Sequence, residues 1–332
     1  PQEAGTTAPT ENPGSCRGTH RTVLLVLMVL HLITSCATFP NAHWPRFAVY
    51  EPNRQEIEHV PFFAQQAFQC GPSTLAMVLS WSGVIVNPSQ VAPKVFTPSR
   101  SGTLQPAMIS AARRYGRIAY PISGAEKMLM EVAAGHPVIV LQNLGLSWFP
   151  KWHYAVVVGY DLDAETVTLH SGRTERNRIP LSVFDKTWAR GNRWALLVLR
   201  PDDLPVTAKE APFISAVLGL EKAKRWKAAV EGYQAALRRW PHSLGALMGL
   251  GNSYYALGEK EISADTFQLA TERFPGEGSA FNNLAQVFWK LGKHKEALEA
   301  AKTAVSLGGS LIDVYTETLS QIEAGIQTIE EP

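Results

Sequence analysis

Residues 60–83 read VPFFAQQAFQCGPSTLAMVLSWSG, and from Cys70 onward the stretch turns helical. Gly71 and Pro72 suit a first turn, and Leu75, Val78, Leu79 and Trp81 form an apolar face. A cysteine at a helix N-terminus feels the positive end of the macrodipole, which favours thiolate over thiol. Its backbone N–H can also serve an oxyanion hole, and an upstream glutamine can supply a second donor from its side-chain amide. Gln65 and Gln66 are the two candidates.

Further along, WHYAVVVGYD at 152–161 reads as a strand that opens with His153 and closes at a turn. A second strand, Thr166 to Leu169, leads into His170, Ser171 and Gly172. Cysteine on a helix, histidine at the start of one strand and an orienting group at the end of the next is the order of a papain-like site. Gln65, Cys70, Gly71 and Pro72, then Gly102, Thr103 and Leu104, resemble the bacteriocin-processing double-glycine peptidases. So do Ala111 and Ala112 ahead of Gly116, the run Gly135 to Val140, and His153, Tyr154, Gly159 and Tyr160.

The resemblance implies an α+β papain-like cysteine peptidase domain over 60–200, with Cys70 as nucleophile and His153 as general base. Gln65 would line the oxyanion hole, with Gln66 as the alternative. Where that family has its orienting aspartate, this chain places Ser171, and His170 is the other candidate; Asp161 and Asp163 belong to the turn. A serine can hold the tautomer of His153 but cannot stabilise an imidazolium as a carboxylate does. No ATPase motif accompanies the domain, so the double-glycine substrate is not implied with the fold. Trp148 and Trp152 flank the histidine, as walls of a groove or as packing, and His136 is expected at the surface in a helix-to-strand turn.

After the short proline-bearing stretch 201–210, helical periodicity takes over. Ala236, Ala270 and Ala304 are spaced by 34 residues, as are Tyr233, Phe267 and Ala301, Leu250 and Leu284, and Gly258 and Gly292. The period and the small/aromatic alternation resemble tetratricopeptide repeats, three of them over 211–310, with 311–332 as capping helix and tail. Ala216 and Val217 depart from the pattern in the first repeat. The fold expected is therefore a papain-like domain followed by an all-α tetratricopeptide solenoid, whose concave face takes a protein partner.

The N-terminal region 1–36 reads as a targeting segment. Arg17, His20 and Arg21 precede an apolar run from Val23 to Ile33, too short to span a bilayer but suited to a secretory signal. Ile33, Thr34, Ser35 and Cys36 resemble a bacterial lipobox, which implies diacylation of Cys36, a tether over 37–59, and attachment to the membrane. Ala37 after the cysteine implies the outer membrane, facing the periplasm. No Met occurs before Met28, which a misassigned translation start would explain.

Length and composition set the outer bounds. The 332 residues are 45% hydrophobic and 18% charged, with net charge +2 and 3 cysteines. That is room for about two domains with cores of their own, and it excludes both a disordered chain and a disulfide-stapled miniprotein. Neither nucleic acid, a metal nor an organic cofactor is expected: the charge is near balance, and histidines and cysteines are not grouped at ligand spacing. The expected activity is peptide-bond cleavage by Cys/His acyl transfer on a peptide or protein substrate. The alternatives are an inactive peptidase-fold scaffold acting through its repeats, and a cell-wall peptide amidase.

Overall fold

The computed structural model describes residues 52–66, 68–100 and 102–330, together with Gly5. The targeting segment, Cys36 and most of the tether lie outside the described residues. Two bodies share the described chain, a sheet domain and a helical array.

Helix α1 (Cys70–Trp81) is buried along almost its whole length, from Gly71 to Leu79. It packs across the long strand β6 (Trp152–Asp161). Helix α2 (Pro88–Val95) follows, begun by a capping box in which Asn87 and Gln90 exchange side-chain-to-backbone hydrogen bonds. A two-strand ribbon of β2 (Phe96–Thr97) and β3 (Gly102–Thr103) then leads into α3 (Gln105–Arg114).

The main sheet is antiparallel and seven-stranded, in the order β4 (Ile118–Ser123), β9 (Trp194–Leu199), β5 (Val138–Asn143), β6, β7 (Thr166–Ser171) and β8 (Thr174–Pro180). The short β1 (Arg54–Glu56) adds onto the far end of β6. Helices α4 (Ala125–Ala133) and α5 (Leu181–Ala189) complete the domain. Its central strands are near-continuous runs of Val, Ile, Leu and Ala with almost no exposure, as a sheet covered on both faces requires. The register of β6 against β7 pairs Val156 with His170 and Val157 with Leu169 before a bulge next to Gly159. Side chains alternate faces along a strand, so this register sends Ser171 to the face of Ala155 and His153, and His170 to the opposite one.

The helical array begins with α6 (Glu210–Lys222) and α7 (Trp226–Arg239). It continues with α8 (Leu244–Leu257) and α9 (Lys260–Arg273), then α10 (Gly278–Lys290) and α11 (His294–Leu307), and ends in the capping helix α12 (Ile312–Glu330). The three alanines of the 34-residue period are completely buried, and Tyr233 and Phe267 fill the space between paired helices. Val217, a departure from the repeat pattern, is buried against Gly232, so the first pair closes as the others do.

Edge strand β4 is packed against by α6. Phe213 of α6 sits between Tyr120 and Trp240, with ring centroids 6.5 and 6.0 Å away. The stretch between the bodies is docked on the sheet domain rather than polar and free, with Pro201, Pro205 and Ala208 buried. Glu131, fully buried, accepts hydrogen bonds from Thr207 through its N–H (2.8 Å) and hydroxyl (2.5 Å), and from the Val206 N–H (3.3 Å). His136 Nδ1 lies 2.7 Å from the same carboxylate. The expectation of a surface His136 is thus corrected: the side chain is 14% exposed and belongs to this polar network. A buried carboxylate needs such partners.

Candidate active site

Cys70 is the first residue of α1, partly exposed and free of any disulfide. The helix has no acidic side chain in its first turn to offset the dipole at the thiol. Gly71 holds the helix start close to β3: a Cβ here would overlap the Thr103 side chain, so only glycine allows the approach. The Thr103 carbonyl in turn accepts the Tyr154 hydroxyl at 3.2 Å. Tyr154 is next to His153 on β6, and its ring lies near enough to Cys70 for the thiol's charge to raise its pKa. Burial is the larger cause of that rise.

His153 lies at the start of β6, paired with Gln142 of β5. Its Nε2 is 2.9 Å from the Ser171 hydroxyl. With Nε2 donating, Nδ1 keeps its lone pair, which is the state a base must have. Burial pushes the imidazole below its ordinary pKa, so the ring is neutral at pH 7.

Gln65 ties these pieces together. Its backbone N–H donates to the Gly172 carbonyl (2.8 Å), its Oε1 accepts from the Gly172 N–H (3.2 Å), and its Nε2 donates to the Tyr154 carbonyl (3.2 Å). One buried side chain thereby spans the strand of His153 and the turn after Ser171, and keeps a second Nε2 hydrogen to spare. Gln66, by contrast, is exposed, and its carbonyl accepts from the Gln69 N–H. Gln65, His153 and Ser171 therefore come together with Tyr154 and Gly172; Cys70 is attached to them through Gly71, Thr103 and Tyr154.

His170 is elsewhere. Its Nε2 lies 3.1 Å from the Val60 carbonyl, and its Nδ1 accepts from the Arg176 N–H at 3.2 Å, so both ring nitrogens are spent on backbone. Asp161 closes the β6–β7 turn by accepting the Ala164 N–H at 2.9 Å and faces Arg54.

The loop 144–151 ahead of His153 is organised by Asn143. Its Oδ1 accepts from the N–H groups of Gly145 and Lys151, both at 2.9 Å, and its Nδ2 donates to the Leu146 carbonyl at 3.3 Å. On this frame Trp148 and Trp152 are 81% and 54% exposed, together with Leu144, Leu146 and Phe149. Phe68, just before Cys70, is exposed as well. The two tryptophans are not core packing. Sequence reasoning missed Asn143, whose only signal is an amide at the end of an apolar strand, opening a loop that carries apolar side chains. No group of histidine, cysteine and acidic residues among the described residues could hold a metal ion.

This is the scaffold of a cysteine peptidase joined to a helical repeat array. Residues 57–195 match the Peptidase_C39 like family, and residues 216–277 and 250–310 match the tetratricopeptide repeat. The chain thus carries a C39-like peptidase domain followed by tetratricopeptide repeats. Among solved structures it is similar to a C39-like peptidase from Bacillus anthracis (20% identity, 44% of this chain and 97% of that one, TM-score 0.39). It is also similar to the peptidase domain of Streptococcus ComA (19%, 42% and 98%, 0.36) and to the Sgt2 repeat domain from Aspergillus fumigatus (23%, 38% and 84%, 0.36). No curated protein matches the chain.

Proposed function

We propose that the protein is a lipid-anchored cysteine peptidase of the bacterial cell envelope, attached through Cys36 to the outer membrane and facing the periplasm. Its repeats recruit the protein to be cleaved or a partner. The observation that carries the reading is the contact of His153 Nε2 with Ser171 at 2.9 Å, made beside a Gln65 that is bonded to the strand of His153 and to the turn after Ser171. In the reaction, His153 Nδ1 takes the proton of the Cys70 thiol as sulfur attacks the substrate carbonyl carbon. The oxyanion is met by the Cys70 N–H and the spare Gln65 Nε2 hydrogen. The imidazolium then gives its proton to the leaving amine, and a water activated by His153 hydrolyses the thioester. Trp148, Trp152 and Phe68 form apolar walls for substrate side chains.

Capture of partners on the Cys70→Ala protein, followed by incubation of each with the wild type, tests this. The wild type cleaves a captured partner and neither Cys70→Ala nor His153→Ala does so. Cleavage undiminished in Cys70→Ala overturns the assignment.

One observation favours a second reading, an inactive scaffold: His153 is held neutral by burial and faces a hydroxyl instead of a carboxylate. That reading requires Cys70 to react no faster than a free thiol.

A further inference from the structure

Away from Cys70, the last turns of α3 and α6 meet in a cleft between the sheet domain and the first repeat. It is lined by Ser110, Arg113, Arg114, Gly219, Lys222 and Lys224, and no carboxylate lines it. Basic side chains at helix ends ordinarily answer the macrodipole, but each helix end amounts to about half a negative charge. Two ends therefore offset about one of the four cations. The end carbonyls are also already engaged: the Gly219 and Leu220 carbonyls accept the Ala223 N–H, and the Arg114 carbonyl accepts Arg225 Nε at 2.7 Å.

Three features set this cluster apart from an ordinary solvated group of cations. Arg113 Nε is buried with no hydrogen-bond partner, and it faces no acid among the described residues; burial alone pushes the guanidinium's pKa down. An unpaired buried donor is costly unless something fills it. Gly219 makes room for that guanidinium, since a Cβ would overlap its Nε, Cζ and Cδ; the same position in the next two repeats holds Ser253 and Val287. Lys224, finally, ends α6 in the left-handed region (φ 56°), where the next two repeats have Gly258 (φ 87°) and Gly292 (φ 74°). All three make the same two turn hydrogen bonds, such as Lys224 N–H to the Glu221 carbonyl and Arg225 N–H to the Leu220 carbonyl. Glycine is what the turn favours. Only the repeat that faces the sheet domain departs from it, and the departure adds a charge to the cleft.

We propose that this cleft binds a phosphate-class dianion, held by the guanidinium groups of Arg113 and Arg114 and the ammonium groups of Lys222 and Lys224. A dianion fits the uncompensated charge better than a carboxylate, and guanidinium forks match its oxygens bidentately. Ser110, whose Oγ accepts Arg114 Nη2 at 3.0 Å, retains its own proton to donate. The site is independent of the peptidase assignment. Its ligand is either a soluble phosphate ester or a phospholipid headgroup, which share this chemistry.

Calorimetric titration of the full chain with inorganic phosphate at fixed ionic strength, with acetate as the comparison, tests the proposal. Phosphate binds with Kd of about 1 mM or tighter, and acetate at least about tenfold more weakly. Lys224→Gly preserves the turn, raises the melting temperature of the ligand-free protein and weakens phosphate binding at least about threefold; Lys222→Gln weakens it similarly. Phosphatidylcholine vesicles with and without phosphatidate separate the sources. Phosphatidate-dependent retention that Lys224→Gly lowers assigns the headgroup, and phosphate binding without such retention assigns a soluble ester. No heat of binding up to about 10 mM phosphate, or binding unchanged in both lysine variants, overturns the proposal.

Discussion

Ser171 offers His153 a hydroxyl where a carboxylate would offer charge as well as geometry. Ser171→Asp supplies the missing charge at the same position. Its carboxylate raises the His153 pKa, and alkylation of Cys70 near pH 5.5 speeds up by about tenfold because an imidazolium now stabilises the thiolate. Titration of the ring by NMR checks the first step, and an unchanged His153 pKa contradicts the placement. Gly71 gives a second test at this scale. Gly71→Ala drives a methyl group into Thr103, and urea unfolding loses about 1–3 kcal/mol. A variant as stable as the wild type would mean that the helix start is not held against β3.

At the scale of elements, the β6–β7 hairpin decides which side chains can meet. The order of Cys70, His153 and Ser171 was legible in the chain, because a strand that begins at a histidine and one that ends at a serine are written in the alternation of residues 152–171. The choice between Ser171 and His170 was legible only as a resemblance; register parity supplies the physical reason, and the bonds of His170 to Val60 and Arg176 complete it. The Glu131 network was not legible at all. Its partner Thr207 is 76 residues away, and no local pattern announces a contact that loop docking creates. The same holds for the Arg113 cleft, where two helix ends from different bodies converge. Glu131→Ala leaves His136 and the N–H groups of Val206 and Thr207 without their shared acceptor. It lowers stability by about 3 kcal/mol, measured by denaturant midpoint, and a loss below about 0.5 kcal/mol contradicts the network.

For the whole molecule, the titration of buried histidines links folding to pH. Burial holds both His153 and His170 below their ordinary pKa, so the native state keeps them neutral while the unfolded chain takes up protons below about pH 6.5. Their contribution is complete above that value and declines as the pH falls from there toward their native pKa. Glu221, pushed up by burial, works in the opposite sense at lower pH, so the informative quantity is the change in a variant. His170→Gln flattens the fall in denaturant midpoint between about pH 7.5 and 5.5, and an unchanged slope contradicts the assignment.

Among the described residues no helix is long and apolar enough to cross a membrane. The array packs against β4, with Phe213 seated between Tyr120 and Trp240. Activation of Cys70 by His153 is the step on which the proposed peptidase activity depends. The measurement that tests it most directly is the rate at which iodoacetamide labels Cys70, followed by mass spectrometry of the Cys70 peptide at neutral pH. The wild type is predicted to label at least about tenfold faster than the urea-unfolded chain and to lose that advantage in His153→Ala. Equal rates in wild type and His153→Ala, or a native rate no higher than the unfolded one, would contradict the claim.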